Sequence, residues 1–379
     1  MARAPAVREI EAPPEADRLG GFPHPRETRR LSGHAAAERE LAEALASGRM
    51  HHAWLLAGHE GIGKATLAYR FAAYALADAA ARDPSASSLE LPENTPALRM
   101  VRALSHPGLL VIRRPWDQQK KRFVASIPVD EVRKLRAFLA HTAGGASRPG
   151  EPVQRVVIVD QADELNVSSA NALLKSLEEP PVRTLFLLVT SQPGRLLPTI
   201  RSRCRTIALG PLEPEALRMA AEQALEAAEL TKPDEADWPR LVQLARGSVR
   251  RLLALATSEG LKLAGRASLF LENLPKVDWV AAHALADDLA GAANDQRFDT
   301  FFDLLLDAAA RLARAAATGE GEPSEVALAR RLIPEGRLAS WADLWETVGR
   351  EKAEALALNL DRKTLVLETL SRLEGASRR

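Results

Sequence analysis

Cysteine is nearly missing from this chain of 379 residues. Its single copy, Cys204, excludes a disulfide within the chain and a multi-cysteine zinc site. Aromatic residues are also scarce, at 4%, while Ala and Leu are abundant, a balance that favours helix. No excess of one charge exists either. Lys and Arg number 51 against 50 Asp and Glu, a formal net charge of +1. No global field therefore draws the molecule to nucleic acid or to a membrane, and any DNA contact has to be local. No apolar run escapes charges long enough to span a bilayer. The opening MARAPAVREIEAPPEADRLGG has no apolar core of signal-peptide length, so the cytoplasm is the expected compartment. What remains is 46% hydrophobic and 27% charged, ordinary for a globular protein with real cores, and long enough for two or three domains.

Residues 1–30 are rich in Pro, Arg and Glu without periodicity, and read as a mostly disordered N-terminal extension. HAAAERELAEALASGRM then reads as a helix and HHAWLLAG as a buried strand entering a loop. KATLAYRFAAYALADAA is helical, and 82–100 reads as an irregular excursion. Strands are expected at 108–115, within 153–163, at 184–191 and at 205–212. Between them come helices at 129–143, 166–179 and 196–204, with Asn166 or Ser168 as the cap of the second, and a loop at 144–150. Such alternation predicts a parallel sheet covered on both faces. From about residue 213 strand signals vanish. The expected layout is an α/β base domain over 31–212, a small helical domain over 213–261 and a larger all-α domain over 262–379.

The stretch GHEGIGKAT (58–66) lies between the first strand and its helix, the context a phosphate-binding loop requires. Gly58, Gly61 and Gly63 let backbone amides converge on phosphate oxygens, and Lys64 adds charge at a helix N-terminus. The position that normally gives Mg²⁺ a hydroxyl is Ala65, however, and Thr66 sits one residue late, roughly 100° further round the helix. VVIVD places Asp160 at a strand end, where such folds hold Mg²⁺. The next residue, where a glutamate would orient the attacking water, is Gln161, which cannot take a proton. Asp163 reads as a helix-start residue. Two parts used in hydrolysis are thus missing together, which suggests a site that holds ATP or ADP without turning it over, with Mg²⁺ in doubt.

GHEGIGKATLA, VVIVDQAD, SANALLKSLEEPP and LLPTIRSRC, in this order and spacing, resemble the bacterial clamp-loader AAA+ family, and its delta-prime branch most closely. SGHAAAERELAEALASGRMHHAWLLAG and SHPG (105–108) are similar to it too, so the resemblance covers about 31–255. It implies a P-loop AAA+ base, a helical lid and an all-α collar, in a hetero-oligomeric ring with gamma/tau-type ATPase subunits and a delta subunit. That ring would act on a sliding clamp and primed DNA. It also implies that Arg203, in SRC, is an arginine finger offered in trans to a neighbouring ATPase. Beside Arg195, Arg201 and Arg205, residue chemistry alone favours an ordinary salt bridge for Arg203. The resemblance further puts a first sensor at Thr190 and a second at Arg250. The four-cysteine zinc module of many members has no counterpart in 78–104, so no zinc is expected. Lys175 is a candidate for weak DNA contact. Two other readings stay open. An active AAA+ motor would need Thr66 or Asp160 to hold Mg²⁺ and another base than Gln161, and a nucleotide-sensing adaptor would lack replication partners.

Overall fold

A computed structural model of the protein describes residues 14–83, 85, 87–140, 153–291, 295–358 and 360–378. The chain divides into two compact units, Met1–Lys232 with Arg246–Arg250, and Pro233–Ala245 with Arg251–Arg379.

In the first unit, α1 (Ala35–Ala46), β1 (Ala53–Ala57) and α2 (Lys64–Leu76) are followed by α3 (Pro96–Arg102), β2 (Leu109–Ile112) and a hairpin of β3 (Trp116–Asp117) and β4 (Arg122–Phe123). Then come α4 (Val129–Ala140), β5 (Arg155–Val159), α5 (Val167–Glu178), β6 (Thr184–Thr190), α6 (Pro198–Arg201), β7 (Arg205–Ala208) and α7 (Pro214–Ala227). Among the described residues the main sheet is parallel, in the order β2-β5-β6-β1-β7. Strand β6 thus separates the strand leading to the glycine loop from the strand ending at Asp160. Strands β1, β5 and β6 are buried at every position, because helices cover both faces. Ala53, Leu55, Val157, Val159, Phe186 and Leu188 face Val132 and Leu135 of α4 and Ala170, Leu173 and Leu177 of α5 in one core cluster. On the other face α2, almost wholly buried, packs against β1, β5 and β6.

Local signals explain the helix ends. The Asn166 side chain caps α5 by accepting from Ser169 N at 2.9 Å, and Pro180-Pro181 follow its end. Helix α3 falls inside the stretch expected to be irregular. Its Pro96 start is the first-turn proline that a short helix favours, and Ala97 and Val101 bury its inner side. The loop expected at 144–150, and the end of the helix expected over 129–143, lie outside the described residues.

The expectation of disorder over 1–30 fails for its described part, while 1–13 lie outside the described residues. From Glu15 to Thr28 the chain is folded onto the unit, with a 3-10 turn at Pro25–Glu27, and both Phe22 and His24 are buried. Charge-rich composition reads as unfolded only while the charges lack partners, and here they have them, as set out below.

The second unit is helical throughout its described residues: α8 (Trp238–Ala245), α9 (Val249–Thr257, whose first two residues belong to the first unit), α10 (Gly260–Asn273), α11 (Trp279–Ala290), α12 (Asp295–Thr318), α13 (Pro323–Leu332), α14 (Leu338–Leu358) and α15 (Arg362–Arg378). Helix α12 is its spine. It buries Phe298, Phe301 and Phe302 and packs against α10, α13 and α14. A P-loop α/β unit followed by helices alone is the architecture that the alternation of patterns predicts.

Candidate functional site

At the C-terminal ends of β1, β5 and β6 the chain makes the kind of crevice in which open α/β sheets bind ligands. The glycine loop leaves β1 between its two neighbours. Gly58 N donates to Thr190 O at 3.3 Å, and Ala57 O accepts from Leu209 N at 2.8 Å. Gly61 has φ +77°, and a Cβ there would lie 2.4 Å from Ser248 Oγ and 2.5 Å from Arg250 Cβ. Only glycine permits both the turn and the approach. Gly63, at φ +100°, is the N-cap of α2, so the loop amides open onto the positive end of a long buried helix.

Lys64 is the first residue of α2 and is 5% exposed. Its ammonium donates to His59 O at 2.5 Å and to Ser191 Oγ at 3.0 Å. Burial pushes it down to about 8, against the opposing pull of Glu60 and Asp163. A phosphate would replace these modest acceptors with charged ones. Arg250 reaches the same loop, its guanidinium 3.1 Å from Glu60 Oε1, while its backbone amide and that of Val249 face Gly61 O. Thr190 is fully buried, and its hydroxyl accepts from Gln192 N at 3.2 Å.

Several members of this constellation were not singled out from sequence. Ser191 holds Lys64, and its amide donates to Asp163 Oδ1 at 3.2 Å. Ser248 Oγ donates to Glu60 O at 2.9 Å, and His34 Nε2 donates to Ile62 O at 2.7 Å. The signal for Ser191 was its place one residue beyond a buried strand. His34 and Ser248 gave none.

The donor set fits a nucleotide phosphate but not Mg²⁺. Ala65 offers no oxygen side chain, and Thr66 is turned into the fold. Asp160 is buried, with Oδ1 accepting from Gln161 N at 2.9 Å and Oδ2 without a partner among the described residues. Asp17 from the N-terminal segment stands in hydrogen-bonding reach of it. Burial first, and then the Asp17 charge, push the Asp160 carboxyl well above the ordinary aspartate range. The Mg²⁺ contact expected at Asp160 finds no ligand set here: among the described residues Ala65 gives no oxygen, and both oxygens of Asp17 are taken, by His24 and by Arg113.

Gly58, Gly61, Gly63, Lys64, Asp160, Thr190 and Arg250 thus gather at one end of the sheet, whereas Arg203 does not. It precedes the start of β7 by two residues, and β7 is the parallel neighbour of β1, so it stands at the opposite end of the strands from the glycine loop. There Nη2 pairs with Glu178 Oε1 at 2.7 Å, at the end of α5, and Nη1 donates to Thr199 O at 2.9 Å. Arg205 stacks on Trp54 at 4.8 Å and pairs with Glu40. Lys175 lines a cleft of about 350 Å³ between α4 and α5, together with Arg133 and Arg136.

Residues 33–213 match the family described as "DNA polymerase III, delta subunit". Among curated proteins, the delta' subunit of DNA polymerase III of Pseudomonas aeruginosa is 40% identical over 153 residues, 40% of this chain and 41% of that protein. The gamma/tau subunit of Mycobacterium tuberculosis is 33% identical over 57% of this chain and 34% of its own length. The Escherichia coli delta' subunit is 30% identical over 340 residues, 88% of this chain and 92% of that protein. The chain therefore spans well under half of the first two relatives and nearly all of the third.

Proposed function

The chain belongs to the family of DNA polymerase III delta-prime subunits, and from that premise we propose that it is the delta-prime-type member of a clamp loader. In this reading it sits in a hetero-oligomeric ring beside gamma/tau-type ATPase subunits and a delta subunit, in the cytoplasm. The ring places a sliding clamp on primed DNA. Its own AAA+ loop binds ATP or ADP through backbone amides and Lys64, with Arg250 as second sensor and Thr190 shaping the first-sensor position, and does not hydrolyse it. Residues 213–261 serve as lid and 262–379 as collar. Lys175, Arg133 and Arg136 give the local positive surface for weak contact with DNA phosphates.

The observation that carries this reading is the separation of Arg203 from Lys64. Hydrolysis needs a positive charge beside the γ-phosphate and a base for the water. The chain's own pocket lacks the base at Gln161 and the hydroxyl at Ala65. Arg203 lies at the other end of the parallel strands from its own loop, and in this reading it is offered to a neighbour's. Its pair with Glu178 is solvent-exposed on both sides, at 35% and 49%. Such pairs hold about 0–1 kcal/mol, so a phosphate oxygen draws the guanidinium away at small cost while Thr199 O keeps it oriented.

The test is ATP turnover of the reconstituted complex. With Arg203→Ala, turnover at the adjoining site is expected to fall by about three orders of magnitude. Arg203→Lys should not rescue it, because an ammonium lacks the planar fork, and Glu178→Ala should leave it intact. Wild-type turnover in the Arg203→Ala complex would overturn the assignment.

A further inference from the structure

The segment from Glu15 to Arg26 is joined to Arg113, just past β2, and to Arg102, at the end of α3, by a charge network with little access to solvent. Asp17 accepts from His24 Nε2 at 2.6 Å and from Arg113 Nη1 at 3.0 Å. His24 Nδ1 accepts from Arg26 N at 3.1 Å, which leaves Nε2 as the nitrogen that donates to Asp17. Arg26 makes a bidentate pair with Glu15, at 2.8 and 2.9 Å, and its Nε donates to Arg102 O. Arg113, just past β2, also binds Glu15. The His24 ring stands edge-on to Tyr69 of α2, with centroids 5.3 Å apart. Side-chain exposure is 0% for His24 and 4% for Asp17.

The charges balance without Asp160. Arg26 and Arg113 are matched by Glu15 and Asp17, so no cation of this network is left over for a third carboxylate. Asp160 Oδ2 meets no donor among the described residues, while Asp17 lies within reach. A buried carboxylate oxygen without a donor is costly, and a carboxylic acid that donates to a neighbouring carboxylate is satisfied.

We propose that the Glu15–Arg26 segment is a built-in cap on the Asp160 end of the sheet, in which Asp160 donates a hydrogen bond to Asp17 and so serves the fold instead of a metal ion. Asp160 is then a positioning residue that ties the N-terminal segment to β5. A nucleotide held by the loop is held without Mg²⁺ at this carboxyl, which complements the missing hydroxyl at Ala65. The inference concerns the first unit alone and does not depend on partners, so its outcome is separate from that of Arg203.

The test uses the purified full-length chain and melting temperature, with MgCl₂ or MnCl₂ as the probe. The wild-type midpoint is expected to be unmoved by millimolar Mg²⁺ or Mn²⁺, with or without ADP. Asp160→Asn should melt close to wild type, because an amide N–H also donates to Asp17. Asp17→Asn should melt well below it, because the acceptor for Arg113 and for Asp160 is weakened together. The infrared band of a protonated carboxyl in the wild type should vanish in Asp160→Asn. A wild-type midpoint raised by Mg²⁺ and no longer raised in Asp160→Asn would overturn the proposal, as would the absence of that band. Should Asp17→Asn fail to fold, the cation titration and the infrared comparison still decide.

Discussion

Lys64 carries the positive charge of the phosphate loop, and burial has weakened its hold on that charge. Its ammonium loses its proton at about 8, against an ordinary 10.5. The sign follows directly. The unfolded chain keeps this proton up to the ordinary value, so this group makes folding stability rise with pH between about 8 and 10.5, and below about 8 it adds no pH dependence. Phosphate binding needs the cation. The affinity for a fluorescent ADP analogue is therefore expected to decline as pH is raised through about 8, and Lys64→Met should bind weakly with no such decline. An affinity flat through this range in the wild type would contradict the role of Lys64. At this scale the sequence is informative where chemistry depends on residue type alone. Ala65 and Gln161 announce their missing groups, and Gly61 and Gly63 announce a turn. It is silent where a partner lies far away in the chain. Nothing in the text around Asp17 points to Asp160, and nothing near Ser248 points to Glu60, because those pairings exist only once the chain has folded.

Among the elements, β1, β5 and β6 are legible because every residue in them is buried, so an uninterrupted apolar run is the only pattern they can show. The β3–β4 hairpin, two residues per strand, is too short for a pattern and was not foreseen. Helix α3 was hidden by the polar text around it, and Glu15–Thr28 by a composition that resembles disorder. The start of α5 was narrowed to Asn166 or Ser168, and the geometry selects Asn166. Asn166→Ala should cost about 1 kcal/mol in a denaturant melt, Asn166→Asp little, and Ser168→Ala little as well. Equal losses at 166 and 168 would contradict the capping geometry. Because α5 ends at Glu178, the partner of Arg203, its stability also bears on how that arginine is held.

At the scale of the molecule, the succession of α/β elements by helices alone is visible as the loss of strand signals past residue 213, whereas the division into two compact units, which keeps α7 and Arg246–Arg250 with the first, is not. The relatives that align with most of the chain are subunits of a multi-subunit enzyme. Within the first unit, the glycine-loop end of the strands and the Arg203 end are opposite ends of one layer. Under the proposed function, such a subunit gives a positive charge at one end and keeps a pocket without turnover at the other. The most direct measurement is steady ATP turnover by the chain alone and by the chain assembled with gamma/tau-type and delta subunits. The expected result is no turnover above background alone, and a clamp- and DNA-stimulated turnover in the assembly that Arg203→Ala reduces. Brisk hydrolysis by the isolated chain, or assembly turnover indifferent to Arg203, would contradict it.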